Sequence, residues 1–237
     1  MYKTHLLYSA RQALVTTMLI AMLGVSAFFA FEPSVSRGQQ TDQFVVSQQI
    51  TNEISFRTVA NDVAMVGSIT GLSGGYATGT SVVVVNTNNL SGYSMTLHFA
   101  TTTSGHAMVA SSSSSSMGYI NDYSNAGGVG VADYDWVTNS TGQAAEFGYH
   151  VQASSSAEVD QSFKNNGSAC NVGSTVTDNK CWLNPTTTPE TIINSSVANA
   201  YSTTTIKFKV AVPSNPSPAL PARYYYATGT LTATTNP

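Results

Sequence analysis

The hydrophobic pattern of this chain changes character once, close to its N-terminus. Residues 13–31, ALVTTMLIAMLGVSAFFAF, form a mostly apolar stretch without a charged residue. Its length approaches the roughly 20 residues with which a helix crosses a bilayer. After a polar linker at residues 32–42, apolar and polar residues alternate in short runs instead. The pattern predicts a hydrophobic helix at residues 1–31, followed by a β-domain at residues 43–237.

The hydrophobic segment has the layout of an export leader. Lys3 and Arg11 precede it, which favours an N-terminus on the cytoplasmic side. Val25 and Ala27 occupy the −3 and −1 positions of a peptidase site that would start the mature chain at Phe28. The alternative is that the segment is retained as an N-terminal membrane anchor. Both interpretations place the β-domain outside the cytoplasm, either secreted or at the cell surface.

Alternation of period two predicts the strands of the β-domain. Residues 43–58 carry apolar side chains on even positions and predict one long strand or two collinear strands. Residues 80–85 and 93–99 flank an Asn- and Gly-rich turn and predict a hairpin. Residues 206–212 and 225–233 predict the last two strands.

Two irregular segments, residues 101–132 and 154–200, are predicted to be long loops, because their alternation is weak and they are rich in Ser, Asn, Gly and Thr. The strands between such turn signals, each with one apolar face, are typical of an antiparallel β-sandwich. The predicted fold class is therefore all-β, an antiparallel Ig-like β-sandwich preceded by one N-terminal hydrophobic helix.

The amino-acid composition limits the kinds of binding partner that are expected for this protein. Charged residues make up 9% of the chain, against about 25% in a typical soluble domain. The net charge of −3 and the lack of a clustered basic patch exclude nucleic acid as an expected partner. Membrane contact is expected only through residues 13–31, if the leader is retained. The exterior of the β-domain is expected to consist mainly of neutral hydroxyl and amide groups.

The two cysteines, Cys170 and Cys181, are predicted to form a disulfide. Export places them in an oxidising compartment, where a disulfide is the default state. A metal pair is the alternative, but no metal-binding spacing with His or further Cys surrounds them.

Few residues suggest chemistry. Trp136 and Trp182 are candidate ligand contacts, and their alternative role is packing within the domain. His98, His106 and His150 are interpreted as scattered surface histidines, since their spacing suggests no metal site. The prediction is that the protein is not an enzyme and uses no cofactor or metal.

Two questions stay open at the level of sequence. Three aspartates around a Gly-rich loop either bind calcium or are solvated turn residues: Asp122, Asp133 and Asp135. Four asparagines begin N-x-[ST] triplets, which matter only if the source organism glycosylates asparagine: Asn89, Asn139, Asn166 and Asn194.

Two segments resemble known surface proteins. Residues 82–97, VVVVNTNNLSGYSMTL, are similar to a hairpin of secreted bacterial surface β-sandwich proteins, and residues 206–234 are similar to their closing strands, with a proline-rich connection between. Similar layouts occur in WxL-like and other bacterial Ig-like surface domains, including uncharacterised exported proteins. The resemblance implies an Ig-like fold and an extracytoplasmic location, and it implies no active site.

The predicted function is an exported cell-surface structural or adhesive protein, one form of which is a self-assembling envelope or filament subunit. Its expected partners are other copies of itself, other surface proteins or glycans. Assembly by strand donation is a further hypothesis, in which residues 43–58 complete the sheet of a neighbour. The alternative function is a secreted carbohydrate- or ligand-binding module that uses Trp136, Trp182 or the tyrosines.

Overall fold

The computed structural model divides the chain into two compact units, Met1–Gln49 and Ile50–Pro237. The residues that it describes are 2–30, 43, 45–100, 102, 104–110, 118–124, 131–136 and 143–237.

The first unit contains the helix α1, Tyr2–Ala30, so the predicted N-terminal helix is confirmed. Hydroxyl groups inside the helix are satisfied locally: the Ser26 hydroxyl donates to the Met22 carbonyl at 2.6 Å. None of the helical segments that the structure describes combines the length and the apolar character of a membrane span.

The second unit is built mainly of strands. In chain order they are β1 (Ile54–Thr58), β2 (Ile69–Thr70), β3 (Gly74–Thr87), β4 (Tyr93–Phe99), β5 (Met108–Ala110), β6 (Tyr119–Asp122), β7 (Glu146–Ala153), β8 (Glu190–Ser195), β9 (Asn199–Val212), β10 (Tyr225–Tyr226) and β11 (Gly229–Thr235). A short 3₁₀ helix, η1 (Gln161–Phe163), lies between β7 and β8.

The strands form two sheets. The larger sheet has the order β1-β3-β9-β7-β6-β5-β10, and β2 pairs with β3. The smaller sheet has the order β11-β4-β8. The described pairings between these strands are antiparallel, with the exception of the parallel pair β6 and β7. A mostly antiparallel, all-β body after one helix is therefore confirmed.

Both sheets contribute to one hydrophobic core. Along β4, buried residues alternate with half-buried ones, as the sequence pattern predicts. Met95 and Leu97 of β4 share a cluster with Tyr149 of β7 and Ile206 of β9. Because these strands belong to different sheets, the inner faces of the two sheets supply the same core.

The predicted hairpin is wrong in its pairing. Its two strands exist as β3 and β4, but β3 lies in the larger sheet and β4 in the smaller one. The connecting turn carries the chain from one sheet to the other. Asn89, 4% exposed, fixes this turn, because its side-chain amide donates to the Gly92 carbonyl at 2.9 Å and to the Asn236 carbonyl at 2.6 Å. The alternating pattern identifies both strands and does not reveal their partners.

Strand limits also differ from the prediction. Among the described residues of the predicted strand at 43–58, only Ile54–Thr58 form a strand, and residues 45–53 have no regular secondary structure. The segments expected as long loops contain β5, β6 and β8. In β8 a register shift opposite Met95 and Thr96 lets the adjacent Ile192 and Ile193 both be buried. A bulge of this kind hides a strand from a search for alternation.

Candidate functional site

The two tryptophans lie in an aromatic cluster rather than at an exposed binding face. The Trp136 ring stacks on Tyr123 at 4.1 Å between centroids and meets the edge of Trp182 at 5.4 Å. Trp136 is 9% exposed and Trp182 is 1% exposed. Ala211 of β9 completes the cluster. The ring faces of the candidate ligand contacts are therefore largely covered by groups of the same chain.

A lysine from β9 supplies the positive charge beside this cluster. The Lys209 ammonium nitrogen lies 4.8 Å from the centre of the Trp136 ring and 5.6 Å from that of Trp182. Tyr76 approaches the same nitrogen, at 5.7 Å. Burial lowers the pKa of Lys209 below its usual value. The arrangement is a cation–π cage in which the cation belongs to the protein itself.

The disulfide between Cys170 and Cys181 is confirmed. Cys181 is fully buried and joins the main core, whereas Cys170 packs against that core from a partly buried position. The disulfide joins the segment that follows η1 to Cys181, and Trp182 and Leu183 come directly after Cys181 in the chain. Leu183 exchanges backbone hydrogen bonds with Tyr149, which holds this segment beside β7, and the preceding Trp182 packs over the outer face of that strand against His150.

His150 lies on that covered face. It was expected at the surface because it occupies the polar phase of β7, but it is fully buried. Its ring lies 5.8 Å from Trp182 and 6.4 Å from Phe163. Burial lowers the pKa of His150 to about 4, so the imidazole is neutral at neutral pH. The expectation of a surface histidine is wrong because the segment that contains Trp182 covers this phase of the strand.

The other two histidines are apart from His150 in the fold. His98 is half-buried on β4 of the smaller sheet. His106 stacks on Tyr119 at 4.3 Å, and its Nδ1 lies 3.6 Å from an oxygen of Asp122. Within the described ranges, no three His, Cys, Asp or Glu side chains gather in a way that could hold a metal ion.

The three candidate calcium-binding aspartates contact different donors. The backbone N–H of Ala107 donates to Asp122 at 3.0 Å. The Tyr123 hydroxyl donates to Asp133 at 3.1 Å. Lys180 forms an ion pair with Asp135. Burial raises the pKa of Asp122, which disfavours its charged form. Each of the three carboxylates therefore has a different protein partner and stabilises a different loop contact.

The asparagines of the N-x-[ST] triplets differ in accessibility. Asn89 is buried in the turn between β3 and β4. Asn166 is exposed, but its side-chain oxygen accepts from the backbone of Ser168 and Ala169 and shapes a local turn. Asn194 is exposed on β8. Asn139 lies outside the described residues.

An open cleft lies between the two sheets at the β11 side of the second unit. Its volume is about 540 Å³. One wall is formed by residues 60–65, which follow β1, and the other by residues 225–231, which include β10 and the start of β11. The floor is apolar and consists of core side chains, including Leu97, Phe99, Phe147, Ile206 and Phe208. The cleft thus gives access from the edge of the domain to its hydrophobic interior.

Tyrosines lie at the rim of this cleft. Tyr226 lines it and is 54% exposed, while the neighbouring Tyr224 is 88% exposed. The Tyr225 hydroxyl donates to the Pro221 carbonyl at 3.1 Å, which fixes the segment that enters β10. Sequence reasoning identified this Tyr triplet and did not identify the cleft. The cleft depends on the spacing between two sheets, for which the sequence carries no local signal.

No protein-family model, curated protein or solved structure matches the chain.

Proposed function

We propose that the protein is an exported structural subunit of the bacterial cell surface, and that its second unit is an Ig-like β-sandwich. The observation that carries this proposal is the Cys170–Cys181 disulfide, which precedes the segment that pairs with β7 through Leu183 and Tyr149. Such a disulfide persists in extracytoplasmic compartments and is rare in the cytosol. The hydrophobic segment at residues 13–31 supplies the route of export.

The exterior of the second unit suits this role. Its strands display Thr, Ser and Asn, and charged residues are only 9% of the chain. Low charge reduces the repulsion between neighbouring copies and is compatible with side-by-side packing. Two sheets that share one core and are linked by a crossover between β3 and β4 support the Ig-like assignment.

The burial of the tryptophans favours a structural role over carbohydrate binding. Stacking of a sugar needs an accessible aromatic face, and Trp182 is 1% exposed. The exposed Tyr224 and Tyr226 keep a ligand-binding module as the second candidate. A glycan array that is positive for the full chain and negative for Tyr224→Ala and Tyr226→Ala variants would favour that candidate.

Export is tested with an epitope-tagged full chain in intact bacterial cells. We expect the epitope to be degraded by added protease and the cysteines to resist alkylation until a reductant is added. A variant that lacks residues 2–30 should stay inside the cell, with both thiols open to alkylation. A full-length chain that is protected from protease and carries free thiols would contradict the proposal.

A further inference from the structure

The edge strand β11 presents a backbone that is open to pairing. In the described part of the chain, β11 pairs with β4 on one side, and it forms the end of the smaller sheet. Its sequence, GTLTATT, contains neither a charge nor a proline. Natural edge strands are normally protected by such residues because unpaired N–H and C=O groups recruit other strands. β11 therefore has the features of an acceptor edge.

The cleft described above lies beneath this edge. Gly229 and Leu231 of β11 line the cleft, and the core residues Leu97 and Phe208 form part of its floor. Its volume, about 540 Å³, suits whole side chains, since a water molecule takes only about 30 Å³ of liquid volume. A strand added beside β11 would place every second side chain over this apolar floor.

The segment that precedes β1 has the matching properties of a donor. Residues 45–52 have no regular secondary structure and no charge. Val46 and Ile50 share the even phase and are 83% and 81% exposed. Eight residues in extended form reach about 26 Å at about 3.3 Å per residue, which is enough to run the length of the seven-residue β11. Exposed aliphatic side chains of this kind are costly in water and are expected to become buried.

A second copy is the acceptor that the geometry favours. The side chain of Asn88 holds the chain where it enters β1: it accepts from the Glu53 N–H at 2.7 Å and donates to the Thr51 carbonyl at 3.0 Å. Residues 45–53 contain neither a turn nor a bend. Because Asn88 fixes Thr51 and Glu53 at the entry to β1, residues 50–53 do not form the hairpin turn that would fold the preceding chain back along β11 of its own molecule.

We propose that residues 45–52 of one copy add as a strand to β11 of a second copy, with Val46 and Ile50 in the cleft. This inference rests on the proposed surface role and specifies how copies assemble. The donated strand does not include Ile54–Thr58, because these residues form β1 and pair with β3 of their own chain. Repeated from copy to copy, the same contact is head-to-tail and builds a filament.

The first test is self-association of the full chain in detergent, measured by analytical ultracentrifugation. Val46→Asp and Ile50→Asp should each weaken association by about tenfold or more, because burial of one aliphatic side chain contributes at least that factor. Val45→Asp is the matched control. Val45 is 91% exposed but lies in the odd phase, which points away from the cleft, so its substitution should leave association unchanged.

These substitutions are at exposed positions, so circular dichroism and thermal unfolding should not change. Wild-type protein that stays monomeric at the highest concentration reached would overturn the inference. Equal effects of Val45→Asp and Val46→Asp would also overturn it, because association would then not depend on which side of the donated strand carries the substitution.

The second test locates the contact by disulfide cross-linking between two tagged variants. Ser47 and Thr232 are both exposed and should lie on the outer face of the completed sheet. Mixed Ser47→Cys and Thr232→Cys chains should form a heterodimeric cross-link, whereas Ser47→Cys with Thr191→Cys on β8 should not. Adding Ile50→Asp to the Ser47→Cys chain should remove the cross-link.

Cross-linking to β8 as strong as that to β11 would disprove the assignment of the acceptor. Failure of either test leaves the export experiment untouched, because export is read from protease access and thiol state in intact cells. A protein that is exported and monomeric would therefore keep the proposed function and reject strand donation.

Discussion

Gly148 of β7 lies directly beneath the Trp136 ring. A Cβ atom added at Gly148 would lie 2.9 Å from Cζ3 of Trp136 and also 2.9 Å from the backbone oxygen of Leu183. The absence of a side chain at this position lets the aromatic cluster pack against the outer face of the larger sheet. It also places Lys209, the β9 partner of Gly148, within reach of both tryptophan rings.

Gly148→Ala should destabilise the protein by about 1–3 kcal/mol, because the Leu183 backbone cannot yield as a flexible side chain would. Urea unfolding followed by tryptophan fluorescence measures both the stability and the environment of the cluster. Gly229→Ala is the control, since its nearest contacts, at 3.4 Å or more, are ordinary packing distances. A Gly148→Ala variant as stable as Gly229→Ala would show that the cluster is loosely packed.

Acidification should destabilise the protein through His150. Its pKa is lowered to about 4 in the folded state by burial, whereas an unfolded histidine titrates near its usual value of about 6.5. Between these values the unfolded chain binds more protons, so the free energy of unfolding falls as the pH falls. The full loss attributable to His150 is about 3 kcal/mol and is complete below the folded pKa.

The measurement is urea unfolding at a series of pH values for wild type and His150→Leu. The leucine variant should lack the part of the decline that lies between the two pKa values. Asp178 and Lys207, which act on His150 through their charges, are unchanged in both proteins. An identical pH dependence in the two proteins would rule out His150 as the titrating group.

Reduction of the disulfide should lower stability by about 3 kcal/mol, the amount that the loop-closure model gives for a short loop. The bridged cysteines are 11 residues apart. Equilibrium unfolding with and without reductant gives the difference. The Cys170→Ala, Cys181→Ala double variant should match the reduced protein and should not respond to reductant. A reductant effect that persists in this variant would arise elsewhere.

Asn89→Ala should cost about 1–3 kcal/mol, because it removes the side-chain donor to the partly buried Asn236 carbonyl and one of the two donors to the buried Gly92 carbonyl, which also accepts from the Asn236 N–H at 3.1 Å. The exposed Asn194→Ala is the control for loss of an asparagine side chain. Thermal unfolding distinguishes the two. If both variants melt together, the turn between β3 and β4 is held by its backbone alone.

Some features of the fold depend on neighbouring residues in the chain, and others depend on contacts between distant residues. Alternation in β4 and the disulfide between Cys170 and Cys181 are confirmed from sequence, because side-chain phase and cysteine chemistry are local properties. The missed strand β8 shows the limit of the same rule. Its bulge buries two adjacent isoleucines, and a period of two cannot represent that arrangement.

Residue patterns alone were enough to indicate a body built of strands, a helix before it and a bridge between its two cysteines. Contacts between distant parts of the chain fix which sheet each strand joins, the burial of His150 and Trp182, and the cleft beside β11. Every residue except proline carries the same backbone donor and acceptor, so the choice of a partner strand depends on how distant faces pack. The polar side of a strand becomes buried only when another segment covers it.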